Sequence, residues 1–131
     1  MEAKEQFLIE TDIIVEHLTY DETAGRSVLE YLMEKGECFT TVINSAELFF
    51  NVSDNMDRDN VMNAIKALKV LGLNSRYSLN ISDFFNKVAS VRDALMCSVA
   101  KNNDLPIVTI KPEKYEHSGI QIIDARRLKN K

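Results

Sequence analysis

The sequence predicts a three-layer α/β/α domain around a parallel sheet of four or five short strands. Three observations predict it. Short apolar, β-branched segments recur along the chain, and polar or turn residues bound each one. Between them, apolar residues return every three or four positions, the period of an amphipathic helix. Strands that alternate with helices form βαβ crossovers, and a parallel sheet covered on both faces follows. With 131 residues, one domain with one core is expected over the whole chain, its core at about 6–123 and a basic tail at 124–131.

The elements follow in order. "QFLIE", Gln6 to Glu10, reads as a buried strand. Residues 11–19 continue as a helix with Ile13, Ile14, His17 and Leu18 on one face, capped by Thr11 or Asp12. Asp21 caps a second helical stretch carrying Ala24, Val28, Leu29, Leu32 and Met33, and Gly36 closes it. "ECFTTV", Glu37 to Val42, is β-branched and aromatic, hence a strand. A helix is expected to start near Ser45 in "SAELFFNVS".

Asp57 opens another helix, with Val61, Ala64, Ile65, Leu68 and Leu71 as its stripe and Gly72 as its stop. Residues 73–80 fit a short strand or a loop. Ser82 opens a long helix through Phe84, Phe85, Val88, Val91, Leu95 and Val99. "PIVTI", Pro106 to Ile110, is a strand, "KPEKYEHSG" a turn or one short helix, and "IQII", Ile120 to Ile123, a last strand.

Composition narrows the function classes. The net charge of −4 argues against non-specific coating of nucleic acid, which needs local positive charge. Basic residues do gather at the end, at Arg126, Arg127, Lys129 and Lys131, as a solubilising tail. No apolar run approaches the ~20 residues of a membrane helix, and no signal-peptide pattern opens the sequence. Cytoplasmic residence without membrane association is the expectation. Cys38 and Cys97 lie 59 residues apart in apolar surroundings and read as buried reduced thiols. His17 and His117 stand in no metal-ligand spacing.

Four acids stand out. Glu10 and Asp12 follow the first strand, where the sites of parallel sheets lie. Glu47 and Asp93 interrupt otherwise apolar helical runs. A carboxylate in apolar surroundings is costly unless paired, protonated or bound to a cation. Several on one point repel one another, and Mg²⁺ or Mn²⁺, which take oxygen ligands, resolves that repulsion. Structural roles fit as well: Asp12 as a cap, Glu47 as a partner of the helix dipole, and Asp93 as the box partner of Ser90.

"FLIETDIIVEHL", "TTVINSAELFF", "VRDALMCSVAKNNDLPIVT" and "YEHSGIQII" occur in that order. Together they resemble the PIN domain, in particular the VapC-type toxins of prokaryotic toxin–antitoxin pairs, over about residues 6–123. The resemblance implies a Mg²⁺- or Mn²⁺-dependent endoribonuclease that cleaves RNA with a metal-activated water. Its metal ligands would be Glu10, Asp12, Glu47 and Asp93, and Thr109 would orient the site. It further implies a cognate antitoxin as partner and a homodimer. Arg92, Lys111 and Lys114 are candidates for RNA contact. Two positions depart from the pattern. Glu10 stands where the family has Asp, and Lys111 stands where it has Asn or Asp, with Glu113 as a nearby substitute carboxylate. Lys111 favours the alternative of a PIN fold without strong catalysis that binds RNA or protein.

Overall fold

The computed structural model describes residues 4–52 and 57–128. Five strands form one sheet: β1 (Glu5–Ile9), β2 (Gly36–Thr41), β3 (Lys69–Leu71), β4 (Ile107–Thr109) and β5 (Ile122–Asp124). The five helices are α1 (Thr11–Leu18), α2 (Val28–Lys35), α3 (Val42–Phe50), α4 (Arg58–Lys66) and α5 (Val91–Asn103), with one-turn 3-10 segments between them. All strand pairs are parallel, in the order β3-β2-β1-β4-β5. The three-layer expectation holds, with five strands.

Alternation along the strands builds the layers. Phe7 and Ile9 of β1, Cys38 of β2 and Val108 of β4 pack against Ile13, Ile14, Leu29, Leu32, Leu48 and Val61 of the first four helices. Leu8 and Ile107 point the other way, onto Met96, Cys97, Val99 and Ala100 of α5. Cys38 and Cys97 are free and buried, one on each side of the sheet. Gly36 pairs with Glu5 where β2 meets β1, and a Cβ there would run into the Glu5 carbonyl. That close approach, rather than its extended backbone, requires glycine.

Several boundaries differ from expectation, each because a local cap wins. Helix α1 is capped by Glu10, whose carboxylate accepts from the Thr11 amide, and not by Thr11 or Asp12. Helix α2 starts after Ser27, in a capping box with Glu30; Asp21 instead holds a 3-10 turn that contains Ala24. Helix α3 begins three residues before Ser45, because Thr41 and Asn44 form a second capping box. Helix α4 stops at Lys66, and its expected end pairs with β2 as edge strand β3.

The long helix expected from Ser82 is broken. Residues 81–84 form a 3-10 turn that buries Phe84, Asn86 takes a left-handed φ of 68°, and α5 restarts behind the Ser90 cap. The last strand lies two residues later than Ile120. Arg126 and Arg127 fold back onto Asp124, while Lys129 and Lys131 lie outside the described residues. No helix among the described residues is long and apolar enough to cross a membrane.

Candidate active site

Strand β1 is central, with β2 and β3 to one side and β4 and β5 to the other. Chain order reverses between β1 and β4, which leaves a crevice beyond their carboxyl ends. A cleft of about 460 Å³ opens there, lined by Glu10, Thr11, Asp12, Glu47, Ser90, Arg92, Asp93, Lys111 and Lys114. The four predicted acids are thus brought together. Glu10 follows β1, Asp12 sits in the first turn of α1, Glu47 in α3, and Asp93 in the first turn of α5, where Ser90 accepts from its amide.

Three of the acids converge on one group, the guanidinium of Arg92. Its Nη1 donates to Glu10 Oε2 at 2.6 Å and Asp93 Oδ1 at 3.1 Å. Nη2 donates to Glu10 Oε1 and, at 2.7 Å, to Glu47 Oε1; Nε donates to Glu47 Oε2 at 3.0 Å. Lys114 adds a second cation, 3.5 Å from Glu10 and 3.4 Å from Asp93. The expected RNA contacts therefore lie differently: Arg92 turns into the acid cluster, Lys114 lies beside it, and Lys111 lines the cleft.

Glu10 is only 1% exposed. Burial alone would raise its pKa, but the hydrogen bonds and charge of Arg92, with the Tyr115 hydroxyl and the Thr11 amide, outweigh burial and hold it at about 2. Glu47 follows the same logic: burial pushes its carboxyl up, and Arg92 and Thr11 bring it below the usual range. Asp12 goes the other way. Burial raises its carboxyl, the hydrogen bond from Thr109 opposes this, and the charge of Glu10 adds to the rise.

Asp12 is held apart from Arg92. Its Oδ2 accepts from the Thr109 hydroxyl at 2.6 Å and the Ile110 amide at 3.3 Å, tying α1 to the end of β4. Its Oδ1 is buried with no hydrogen-bond partner among the described residues. Thr109 also accepts from the Lys111 amide. Glu113 is exposed and does not line the cleft.

Three site residues escaped the sequence reading. Asn44 donates to Glu10 Oε1 at 3.0 Å and to Thr11 Oγ1 at 2.9 Å. It stands three residues before Glu47, one helical turn away on the same face, and that spacing was the available signal. Thr11 donates to Glu47 at 2.6 Å. Tyr115 is fully buried; its hydroxyl donates to Glu10 and lies 3.4 Å from Asp93, and nothing local in "KPEKYEHSG" marked it.

Glu10, Glu47 and Asp93 are hard oxygen donors in the number and type that suit Mg²⁺ or Mn²⁺. The orphaned Asp12 oxygen is a fourth donor in the same cleft. Among the described residues no group of three or more His, Cys, Asp or Glu side chains is disposed to hold a metal ion. The donor chemistry suits a divalent cation, but the oxygens surround the Arg92 guanidinium, which takes the central position.

The fold has many solved counterparts. VapBC-1 from nontypeable Haemophilus influenzae superposes with a TM-score of 0.71 at 15% identity, covering 92% of this chain and 98% of that one. VapBC2 from Rickettsia felis, bound to a DNA fragment from its promoter, gives 0.69 at 17%, covering 90% and 97%. VapC20 of Mycobacterium tuberculosis, a toxin that cleaves the sarcin-ricin loop, gives 0.61 at 11%, again covering 90% and 97%. No curated protein matches the sequence. The family model of the PIN domain matches residues 7–110, which reach from β1 past β4 and include every acid of the cleft, and the chain therefore belongs to the PIN domain family.

Proposed function

We propose that this protein is a Mg²⁺- or Mn²⁺-dependent endoribonuclease and the toxin of a toxin–antitoxin pair. One observation carries the reading: Glu10, Glu47 and Asp93 meet at the switch point of the sheet in a PIN domain chain. Glu10, Glu47 and Asp93 would hold the cation, with Asp12 behind them. A cation so held lowers the pKa of a bound water and offsets charge on the phosphodiester.

The chain's own groups prepare the site. Glu10 stays ionised at neutral pH, because donors from Arg92, Tyr115 and Asn44 surround it. Thr109 fixes the direction of Asp12. Lys111 and Lys114 line the cleft, and their positive charge there supports a phosphate contact. The antitoxin as partner is supported by the solved counterparts, which include VapBC complexes. A homodimer and cytoplasmic residence accompany this reading.

The second reading is a PIN fold that binds RNA or protein without strong catalysis. The saturation of three acids by Arg92 favours it, together with Lys111. Incubation of the purified protein with RNA and Mn²⁺, with and without EDTA, separates the two. Cleavage that EDTA stops, and that Asp93→Asn reduces to background, is expected. Equal cleavage by wild type and variant would mark a contaminant and overturn the catalytic reading.

A further inference from the structure

Arg92 has so far one task in the cleft, to hold Glu10 ionised, and that does not account for its other contacts. All three of its guanidinium nitrogens donate to carboxylates, and Nη1 also reaches the Tyr115 hydroxyl at 2.9 Å. Its position does not come from its helix. Arg92 lies in the first turn of α5, where the macrodipole disfavours a cation. The acids hold it there. Burial by itself would lower its pKa, and Glu10 and Glu47 reverse that and keep it charged.

A divalent ion and this guanidinium would claim the same oxygens. Arg92 uses both oxygens of Glu10, both of Glu47 and Oδ1 of Asp93. The side chain is 23% exposed, more than Glu10 or Asp93 and less than Glu47. It also forms one wall of the adjoining shallow hollow lined by Ile43, Ala46, Glu47, Phe50 and Asn51. Phe50 there is 93% exposed, and an aromatic face is a resting place for a guanidinium that leaves the acids.

We propose that Arg92 is an intramolecular plug: it occupies the cation position of the acid cluster, and a divalent ion enters only as the guanidinium withdraws. The inference rests on the reading of these acids as metal-binding. Two states follow, one closed by Arg92 and one open to metal. The apparent metal affinity of the wild type is reduced by the fraction of molecules that are open.

Calorimetric titration of Mn²⁺ into wild type, Arg92→Ala and Lys114→Ala tests it. Lys114 contributes a nearby charge without filling the position, so it controls for charge alone. Arg92→Ala is expected to bind at least ~10-fold tighter than wild type, as removal of a plug closed nine-tenths of the time requires. Lys114→Ala is expected to change affinity much less.

Wild type alone gives a second measurement, should Arg92→Ala not fold. With ¹⁵N-arginine labelling, the Arg92 Nε–H signal, assigned by its loss in Arg92→Lys, should move to the position of exposed arginines as Mg²⁺ saturates the protein. Equal Mn²⁺ affinity in wild type and Arg92→Ala, equal gains in both variants, or an unmoved Nε–H signal at saturation would overturn the plug and leave the metal reading standing. Absence of metal binding in both wild type and Arg92→Ala would overturn the metal reading and the plug with it.

Discussion

Arg92 grips Glu10 through both of its terminal nitrogens, across 82 residues of sequence. Because Glu10 is buried, this pair is felt in the pH dependence of stability. Its carboxyl is depressed from 4.5 to about 2 in the folded chain. A depressed carboxyl stabilises the fold above its unfolded pKa and ceases to do so as pH falls through its folded pKa. At roughly 1.4 kcal/mol per pH unit, Glu10 contributes about 3 kcal/mol at neutral pH, lost between about pH 5 and pH 2. Asp12, with its raised pKa, has the opposite sign and offsets part of that loss. Urea unfolding from pH 7 down to pH 3 should show the decline, and Glu10→Gln should flatten it. A variant with the same acid slope as wild type would contradict the assignment.

Tyr115 supplies a buried hydroxyl to Glu10 and receives a hydrogen bond from Arg92. Tyr115→Phe keeps the ring and removes this link. The expected cost is about 1–2 kcal/mol in denaturant unfolding at neutral pH. The Glu10 carboxyl also loses one of the groups that hold it down, so the acid decline should be smaller and end at a higher pH. An unchanged unfolding midpoint would show that the hydroxyl is energetically idle.

The two acids that flank Thr11 should respond differently to neutralisation. Asp12→Asn keeps an oxygen for Thr109 and Ile110 and removes a charge that burial disfavours. Its stability is expected within about 1 kcal/mol of wild type. Thr109→Val removes the donor to Asp12 and the acceptor for the Lys111 amide, and should cost about 2 kcal/mol, with Thr109→Ser recovering most of it. Thermal or urea unfolding of the three variants checks the order.

Gly36 is tested by one added carbon. Gly36→Ala forces apart the first rung of the β1–β2 pair, and an overpacking cost of about 2–3 kcal/mol is expected. A midpoint equal to wild type would mean that the strand ends separate freely.

Strands β1, β2, β4 and β5 were legible in the sequence as short apolar or β-branched runs, whereas β3, an exposed edge strand, read as the end of a helix. The acids were legible because each interrupts such a run. Helix starts were less so. Thr41 and Val42 both favour a strand, yet the box between Thr41 and Asn44 turns the chain into α3 at that point. Phe84 and Phe85 continue a helical period, yet the left-handed Asn86 ends it. Arg92 read as a candidate RNA contact, because apart from the adjacent Asp93 its acid partners are distant in sequence. Glu10 lies 82 residues away and Glu47 lies 45, and only the closed sheet brings them near.

The order of strands has a consequence for a chain still being made. Glu10 and Glu47 leave the ribosome early, but their cation arrives with α5, and Tyr115 comes later still, after β4. Until Arg92 has emerged, a nascent chain holds these two acids without their cation, and until Tyr115 follows Glu10 lacks one donor. Synthesis from the N-terminus therefore completes the cleft only after α5 and Tyr115 have joined the acids of β1 and α3.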